Sequence, residues 1–562
     1  MTLPELFSVE LLDSRVDRLK CAGSRLIRVQ PTVPPGASVA KRRGRHARSS
    51  VCLPLKGTAI MKEAAPRALC DEPQEGYRVR RRGCVSMTKA NPLESIFHPR
   101  GVAVVGVSAT SGGFGGNMFL QALKRQGYAG GIYAVNPKAT EIDGAPCYPN
   151  LQSIPGPVDY VISSVPARAV LGLIDDAQAK GVRAIHFFTA GFRETGDASR
   201  ALLEEQVLER ARATGIRLIG PNCMGVYEPS VGLTFQMNLP KEAGNIGALS
   251  QSGLNATEII TYGAPRGLRF SKVISFGNAT DLNESDFLDY LANDDETAII
   301  TAYLEGVRDG RRFFATVRDA AQSKPLTVLK GGLTEAGGRA TSSHTGSLAG
   351  SSQIWRALAD QAGFILVQTL EELVDSTVTF RYVSRLSGRR VAIVGGGGGT
   401  SVLAADACAR AGLQVPVLAA ETQRLLSEFT PDAGTSVRNP VDTMAMWRHE
   451  GVAKTLGIVA NDPQVDIVLL HMQTDWANRP GNVPITPQQF VSSTVEAAAV
   501  TQSESGKPVV VALRSPLSVE GMENRLAMQS GLAHRGLSSF PSVIRAAGAL
   551  TRYAAWLESH RE

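Results

Sequence analysis

The sequence predicts an α/β protein of three doubly wound domains, one Rossmann-like and two flavodoxin-like, behind a disordered N-terminal extension. Three observations point there. Apolar, β-rich runs recur from about Pro99 onward with helical segments between them, glycine-rich turns close several of those runs, and 562 residues are too many for one core.

Residues 1–90 stand apart as a basic extension. The clusters KRRGRHAR and RVRRRG, the proline pairs and the absence of a sustained period predict disorder. Residues 1–86 carry 17 Lys and Arg against 8 Asp and Glu, whereas the remainder carries 42 against 44, so the net charge of +7 belongs to the extension. The folded part is not basic, which argues against nucleic-acid binding there. Cys21, Cys52, Cys70 and Cys84 also lie in the extension, and Cys147, Cys223 and Cys408 are scattered without CxxC spacing, so neither a metal site nor a disulfide framework is expected. No apolar run approaches the roughly 18 residues of a membrane span, and Glu5 and Glu10 interrupt any signal peptide. No membrane association and a cytoplasmic location are expected. Met87 opens MTKANPLESIFHPRGVAVVGVS just before the first strand and is the expected biological start, with a targeting or basic interaction arm as the rival reading.

The runs GVAVVGVS, GIYAVNP, VDYVISSVP, RAIHFFTAG and RLIGPN predict the parallel sheet of residues 91–224. NIGALSQS, FSKVISFGN, TAIITAYLE and PLTVLKGG predict that of residues 225–386, with the glycine- and serine-rich stretch Gly331–Ser352 as a loop after the last. RRVAIVGGGGG, VDIVLLHM and KPVVVAL, with a helix near Ser542–Leu557, predict the domain of residues 387–562. Ligands of such folds gather at strand C-termini.

The chemistry centres on His344, the one side chain of the Gly331–Ser352 stretch able to act as a nucleophile near neutral pH. Two glycine-bearing helix starts offer anion sites through free amides and the helix dipole: Ser250, Gln251, Ser252 and Gly253 in SQSG, and Gly397, Gly398, Gly399 and Thr400 within the run Gly395–Thr400. Close backbone approach to a ligand or a neighbouring loop is the expected reason for five successive glycines. A phosphorylated imidazole would be the shared anion, and Glu305, at the end of TAIITAYLE, is placed to hold the second ring nitrogen. The first glycine loop, GVSATSGGFGGN, superficially resembles a dinucleotide fingerprint, but the second strand ends Val135-Asn136-Pro137-Lys138 without a ribose-binding acid. An ammonium there favours a phosphate-rich nucleotide such as coenzyme A over a nicotinamide cofactor.

From about Pro92 to its C-terminus the chain resembles the α subunit of ADP-forming acyl-CoA synthetases of the acetate–CoA ligase type, relatives of succinyl-CoA synthetase. The resemblance rests on HPRGVAVVGVS, VNPK, SSVPARAV, TAGF, GPNCMG, ALSQSG, SFGNATDLNESD, YLEGVRDGRRF, GRATSSHTGSLAG and NPVD, in that order. It implies that acyl-CoA and phosphate give an acyl phosphate and CoA, that the histidine takes the phosphoryl group, and that ADP accepts it to make ATP. By motif, His344 would be phosphorylated and Glu305 would orient it, with SQSG and Gly397–Thr400 holding phosphate. CoA would lie on the loop containing Ser108, Ser111, Gly112 and Gly115, on Lys138, Val165, Pro166, Thr189, Ala190, Gly191, Asn222 and Cys223. The resemblance further implies a hetero-oligomer, in which an ATP-grasp β subunit on a separate chain supplies the site for ATP or ADP with Mg, while a small carboxylic acid and phosphate are the other substrates. Asn255 and Thr257 stand where small apolar residues are usual in the family, which leaves the acid open. A non-catalytic CoA or acyl-CoA sensor of the same fold is the second function class.

Overall fold

A computed structural model describes residues 93–108, 115–345, 351–431, 433–447, 449–475 and 486–560, without the side chains of 342–345, 447 and 449. All of these belong to one compact unit, Pro73–Glu562. The expected start at Met87 and the disorder expected of residues 1–90 lie outside the described residues.

Three predominantly parallel sheets carry the fold. The first is built from β1 (Gly101–Val105), β2 (Gly131–Val135), β3 (Glu141–Ile142), β4 (Ala145–Tyr148), β5 (Tyr160–Ser163), β6 (Ala184–Phe187) and β7 (Arg217–Ile219), ordered β3-β4-β2-β1-β5-β6-β7. The chain reverses its direction of travel between β1 and β5, which opens a crevice at their C-terminal ends. The second holds β8 (Gly225–Tyr227), β9 (Ile246–Ser250), β10 (Phe270–Ser275), β11 (Ile299–Leu304), β12 (Leu326–Lys330) and β13 (Ile365–Val367), ordered β13-β12-β11-β9-β10-β8, with β8 antiparallel to β10. The third holds β14 (Val391–Gly395), β15 (Val441–Asp442), β16 (Ile467–Met472), β17 (Val509–Leu513) and β18 (Ser539–Phe540), ordered β15-β14-β16-β17-β18. Every residue of β1, β9, β12, β14, β16 and β17 is buried, as expected of parallel strands covered on both faces by helices, and this is why they read in sequence as largely apolar runs.

One part of the sequence reading is corrected. The Gly331–Ser352 stretch, expected as a loop, contains a helix over Glu335–Thr345 with His344 in its last turn. Glycines 337 and 338 disfavour a helix, but Glu335 accepts from Arg339 at 2.7 Å one turn later, and the buried Thr341 hydroxyl donates to the Gly337 carbonyl at 2.9 Å.

Two charged networks join the sheets. Lys272, 1% exposed, lies 3.5 Å from Glu228, 3.1 Å from Asp294 and 2.6 Å from Glu296, while His98 bridges Glu94 and Glu228 at 3.0 and 3.2 Å. His98, Glu228 and Glu296 have metal-like spacing, yet the Lys272 ammonium already supplies a cation among them. Burial still pushes the Glu228 carboxyl up to about 8. Between the second and third sheets the buried guanidinium of Arg266 donates to Asp375 at 2.6 Å and to the Ser539 carbonyl at 2.9 Å, with Arg545 on the other Asp375 oxygen.

Removing Arg266 leaves a buried carboxylate short of a partner, so Arg266→Ala is expected to cost about 3 kcal/mol in urea unfolding. Arg424→Ala, on a fully exposed helix surface with Glu421 and Glu428, should leave the midpoint unchanged. Equal midpoints for the two variants would contradict the Arg266 latch.

Candidate functional site

The C-terminal ends of the first and second sheets meet, and most of the residues singled out in the sequence lie along this junction. Strand register places Ser250 opposite Tyr303 and Leu304 opposite Lys330, so SQSG and Glu305 emerge on the same side. The buried side-chain carbonyl of Gln251 accepts the Glu305 amide and, at 2.8 Å, the Gly306 amide. This clasp fixes the helix start against the strand end that carries the carboxylate.

Ser252 caps the helix Gly253–Gly263 by accepting from the Asn255 amide at 3.3 Å. The first-turn amides of Gly253 and Leu254 have no partner among the described residues, which is the donor pair an anion requires. The Ser250 hydroxyl does not join them as expected. It is fully buried and donates to the Ser252 carbonyl at 2.6 Å, so its work is to close the turn. The absent β-carbon of Gly253 is likewise explained by packing, since it would strike Met224.

Glu305, 4% exposed, accepts from the Tyr303 hydroxyl at 3.1 Å, and Tyr303 also bonds the Asn255 side chain. The ammonium of buried Lys330 donates to the Glu305 carbonyl at 2.9 Å and to that of Gly331; desolvation lowers its pKa although Glu305 opposes the shift. Sequence reasoning missed Tyr303 and Lys330. The legible signal was a lysine closing an otherwise apolar strand, PLTVLKGG. The His344 side chain lies outside the described residues, but its helix Glu335–Thr345 lies against the turn Arg193–Thr195 of the first sheet's side. A cavity of about 980 Å³ is lined by both flanks of the histidine segment, Lys330–Thr334 and Ser352, together with β13 and the C-terminal helix.

On the first sheet, Gly115 begins the helix Gly116–Gln126 at φ 124°, a conformation that disfavours a side chain, and a β-carbon there would lie 2.8 Å from the Ser164 hydroxyl. Asn117 accepts from the Ser108 amide at 2.7 Å, while Ser111 and Gly112 lie outside the described residues. Lys138 is exposed, its amide held by Asn136, whose side chain also donates to the Val107 carbonyl at 2.6 Å. The Thr189 hydroxyl donates to the Val165 carbonyl at 2.8 Å, Pro166 and Ala190 are exposed, and the Asn222 backbone N–H donates to the Thr189 carbonyl at 3.0 Å. Cys223 is buried and burial raises its pKa, so it is a thiol that packs rather than a nucleophile. Beneath it His186 bonds the Cys223 carbonyl at 2.9 Å, and desolvation pushes its imidazole down to about 4.

The two strand-end surfaces are stitched together by groups the sequence reading did not single out. Glu194 accepts from the Gly191 amide at 2.6 Å and from Asn278 at 2.7 Å, and the buried Glu204 accepts from Thr280 at 2.6 Å and Asn278 at 3.2 Å. Gly277 packs so tightly on Pro221 that a β-carbon would strike its carbonyl.

The Gly395–Thr400 run ends β14 and opens the helix Gly398–Arg410 of the third sheet. Ligand approach is not the reason for every glycine in it. A β-carbon on Gly395 would collide with the His471 ring, and the Gly397 amide donates to Asp442 at 2.8 Å.

Residues 100–229 match the family model described as a CoA binding domain, 243–380 a succinyl-CoA ligase like flavodoxin domain, and 391–554 a ligase-CoA domain. The chain is 41% identical over 380 residues to acetate–CoA ligase [ADP-forming] I of Archaeoglobus fulgidus, covering 67% of this chain and 54% of that one. It thus spans about half the length of that relative. It is 35% identical to the α subunit of acetate–CoA ligase [ADP-forming] II of Pyrococcus furiosus, covering 74% of this chain and 89% of that one. The solved dinucleotide-forming acetyl-coenzyme A synthetase 1 of Ca. Korarchaeum cryptofilum, in complex with phosphate and ADP, superposes with a TM-score of 0.70 at 31% identity, covering 84% of this chain and 97% of that one. Among the described residues no helix is long and apolar enough to cross a membrane.

A histidine whose folded pKa is depressed makes the unfolded chain the better proton acceptor. The stability owed to neutral His186 is therefore present above its ordinary pKa of 6.5 and is lost as pH falls toward 4. His186→Gln should lose less stability than the parent between pH 7 and pH 5 in denaturant titrations. Identical losses would mean that His186 is not the buried neutral base described.

Proposed function

We propose a function from one premise: the chain belongs to the ADP-forming acyl-CoA synthetase (acetate–CoA ligase) family, relatives of succinyl-CoA synthetase. On this reading it is the CoA-binding, phosphohistidine-bearing subunit of an acyl-CoA ligase that interconverts a carboxylic acid, CoA and ATP with acyl-CoA, ADP and phosphate. The observation that carries the reading is the Gln251 clasp, which holds an amide-rich helix start and the Glu305 strand end in fixed relation.

Each residue then has a defined task. Phosphate is held by the Gly253 and Leu254 amides with Ser252 maintaining the turn, and by the start of the helix at Gly397–Thr400. The Glu305 carboxylate accepts one imidazole N–H of His344, which leaves the other nitrogen as a lone-pair nucleophile toward the phosphoryl group of an acyl phosphate. The carboxylate of the acid departs as the P–O bond breaks and the N–P bond forms. Tyr303 and Lys330 set the Glu305 geometry through its side chain and its carbonyl. CoA is assigned to the crevice of the first sheet, where the exposed Lys138 and the amides of the helix Gly116–Gln126 suit a phosphorylated nucleotide and Gly191 leaves room for close approach. ATP or ADP, with Mg, is assigned to an ATP-grasp β subunit on a separate chain, a division that the designation of the P. furiosus relative as an α subunit supports. His344 is the carrier between the two.

With an ATP-grasp partner supplied, His344→Ala should abolish turnover while calorimetric CoA affinity stays within about twofold, because the residues assigned to CoA and His344 belong to separate domains. Loss of both together would overturn the arrangement. Glu305→Gln should slow phosphorylation by about 10–100-fold at an unchanged unfolding midpoint. A collapsed midpoint would make Glu305 a structural residue instead.

A further inference from the structure

The run of glycines that opens the helix Gly398–Arg410 covers a histidine on the adjacent strand. His471, near the end of β16, is 1% exposed, and register places it directly beside Gly395. Gly395 is a glycine because the imidazole occupies the space of its side chain. The ring's Nε2 lies 3.1 Å from the hydroxyl of Ser401, itself buried in the helix's first turn. The ring's Nδ1 is buried and has no partner among the described residues. His471 borders a void of about 10 Å³ whose other walls are Gly395, Gly396, Met446, Met472 and Gln473. That volume holds about one oxygen atom.

Desolvation and the nearby Arg514 charge push His471 down to about 4, so the ring is neutral near pH 7 and carries a single N–H. When Nε2 accepts the Ser401 hydroxyl proton, that N–H is on Nδ1. A buried donor without an acceptor is unfavourable, and an incoming oxygen relieves it. The helix start alone is a poorer anion site than its glycines suggest, because the Gly397 amide is already taken by the Asp442 carboxylate. A neutral donor and the Arg514 charge offset that neighbour.

We infer that His471 is a phosphate-binding residue, whose Nδ1–H donates to one oxygen of the phosphoryl group received at Gly397–Thr400 while its Nε2 tethers Ser401. This rests on the proposed function for the identity of the anion, and adds to it a donor from the strand beneath the helix start.

Two substitutions separate the ring's two nitrogens. An asparagine amide can reproduce the Nδ1 donor and abandons Ser401, whereas a glutamine amide reaches the Nε2 position and abandons the void. The whole chain, with its ATP-grasp partner, is assayed with orthophosphate as the probe, by direct binding and by KM for phosphate in the acyl-CoA-consuming direction. His471→Asn should stay within about threefold of the parent, and His471→Gln should raise the phosphate Kd and KM by about tenfold or more with a smaller change in kcat. Equal effects in both variants, no effect in either, or the reverse order would overturn the inference, the reverse order making His471 only a tether for Ser401. The ¹⁵N tautomer of His471 in the unsubstituted chain gives a second readout that needs no variant to fold. An Nδ1–H tautomer is expected, and an Nε2–H tautomer contradicts it. Failure of the proposed function is distinguishable, because a parent complex that never phosphorylates His344 would fail there while the Asn and Gln contrast in orthophosphate binding could still hold.

Discussion

The amide side chain of Gln251 holds the centre of this molecule together. Its carbonyl oxygen accepts the backbone amides of Glu305 and Gly306, while the backbone N–H of the same residue donates to the Tyr303 carbonyl at 3.1 Å. Two parallel strand ends thereby become a single rigid corner. The exposed donors of the helix Gly253–Gly263 and the carboxylate of Glu305 leave that corner in a set relation, with Tyr303 on the carboxylate, Asn255 on Tyr303 and Lys330 on the Glu305 backbone carbonyl. A hydrogen-bonded corner of this kind is costly to disturb, because each buried amide would lose an acceptor.

From this corner the junction extends to the first sheet. Asn278 follows β10 and spans Glu194 and Glu204, and Glu194 in turn gathers the Gly191 and Phe192 amides. The loop assigned to CoA and the strand ends assigned to phosphoryl chemistry are consequently parts of one hydrogen-bonded surface. The third sheet is attached through the Arg266, Asp375 and Arg545 group, far along the chain from the residues it joins. Its glycine-rich helix start is thus carried on a separate layer, as a carrier mechanism with two holding surfaces requires.

The long central strands were legible because burial on both faces writes an uninterrupted apolar run, as in GVAVV and VVVAL. The strands that escaped notice, β3, β4, β13, β15 and β18, are two to four residues long and carry no period to read, and β8 begins only at the last glycine of GPNCMG, where the chain crosses between sheets. The helix Glu335–Thr345 was read as a loop because its glycines and serines outweigh its helix formers locally, while the Glu335–Arg339 pair and the buried Thr341 act only once the chain is folded. SQSG, Glu305 and the first-sheet loops were singled out because their residue types sit at the ends of runs that read as strands. Gln251 was noted there as part of an anion site, but its role as a clasp depends on register across β9 and β11. His471 and Lys330 looked like interruptions of apolar strands, and only the fold gives each of them a neighbour.

The central claim is that one imidazole carries the phosphoryl group. The most direct measurement combines the chain, its ATP-grasp partner, acyl-CoA and ³²P-orthophosphate in the absence of ADP, and maps the label by peptide. The account expects acid-labile, base-stable label on the peptide containing His344, discharged when ADP is added. Label on any other residue, or turnover that proceeds with His344 never labelled, would contradict it.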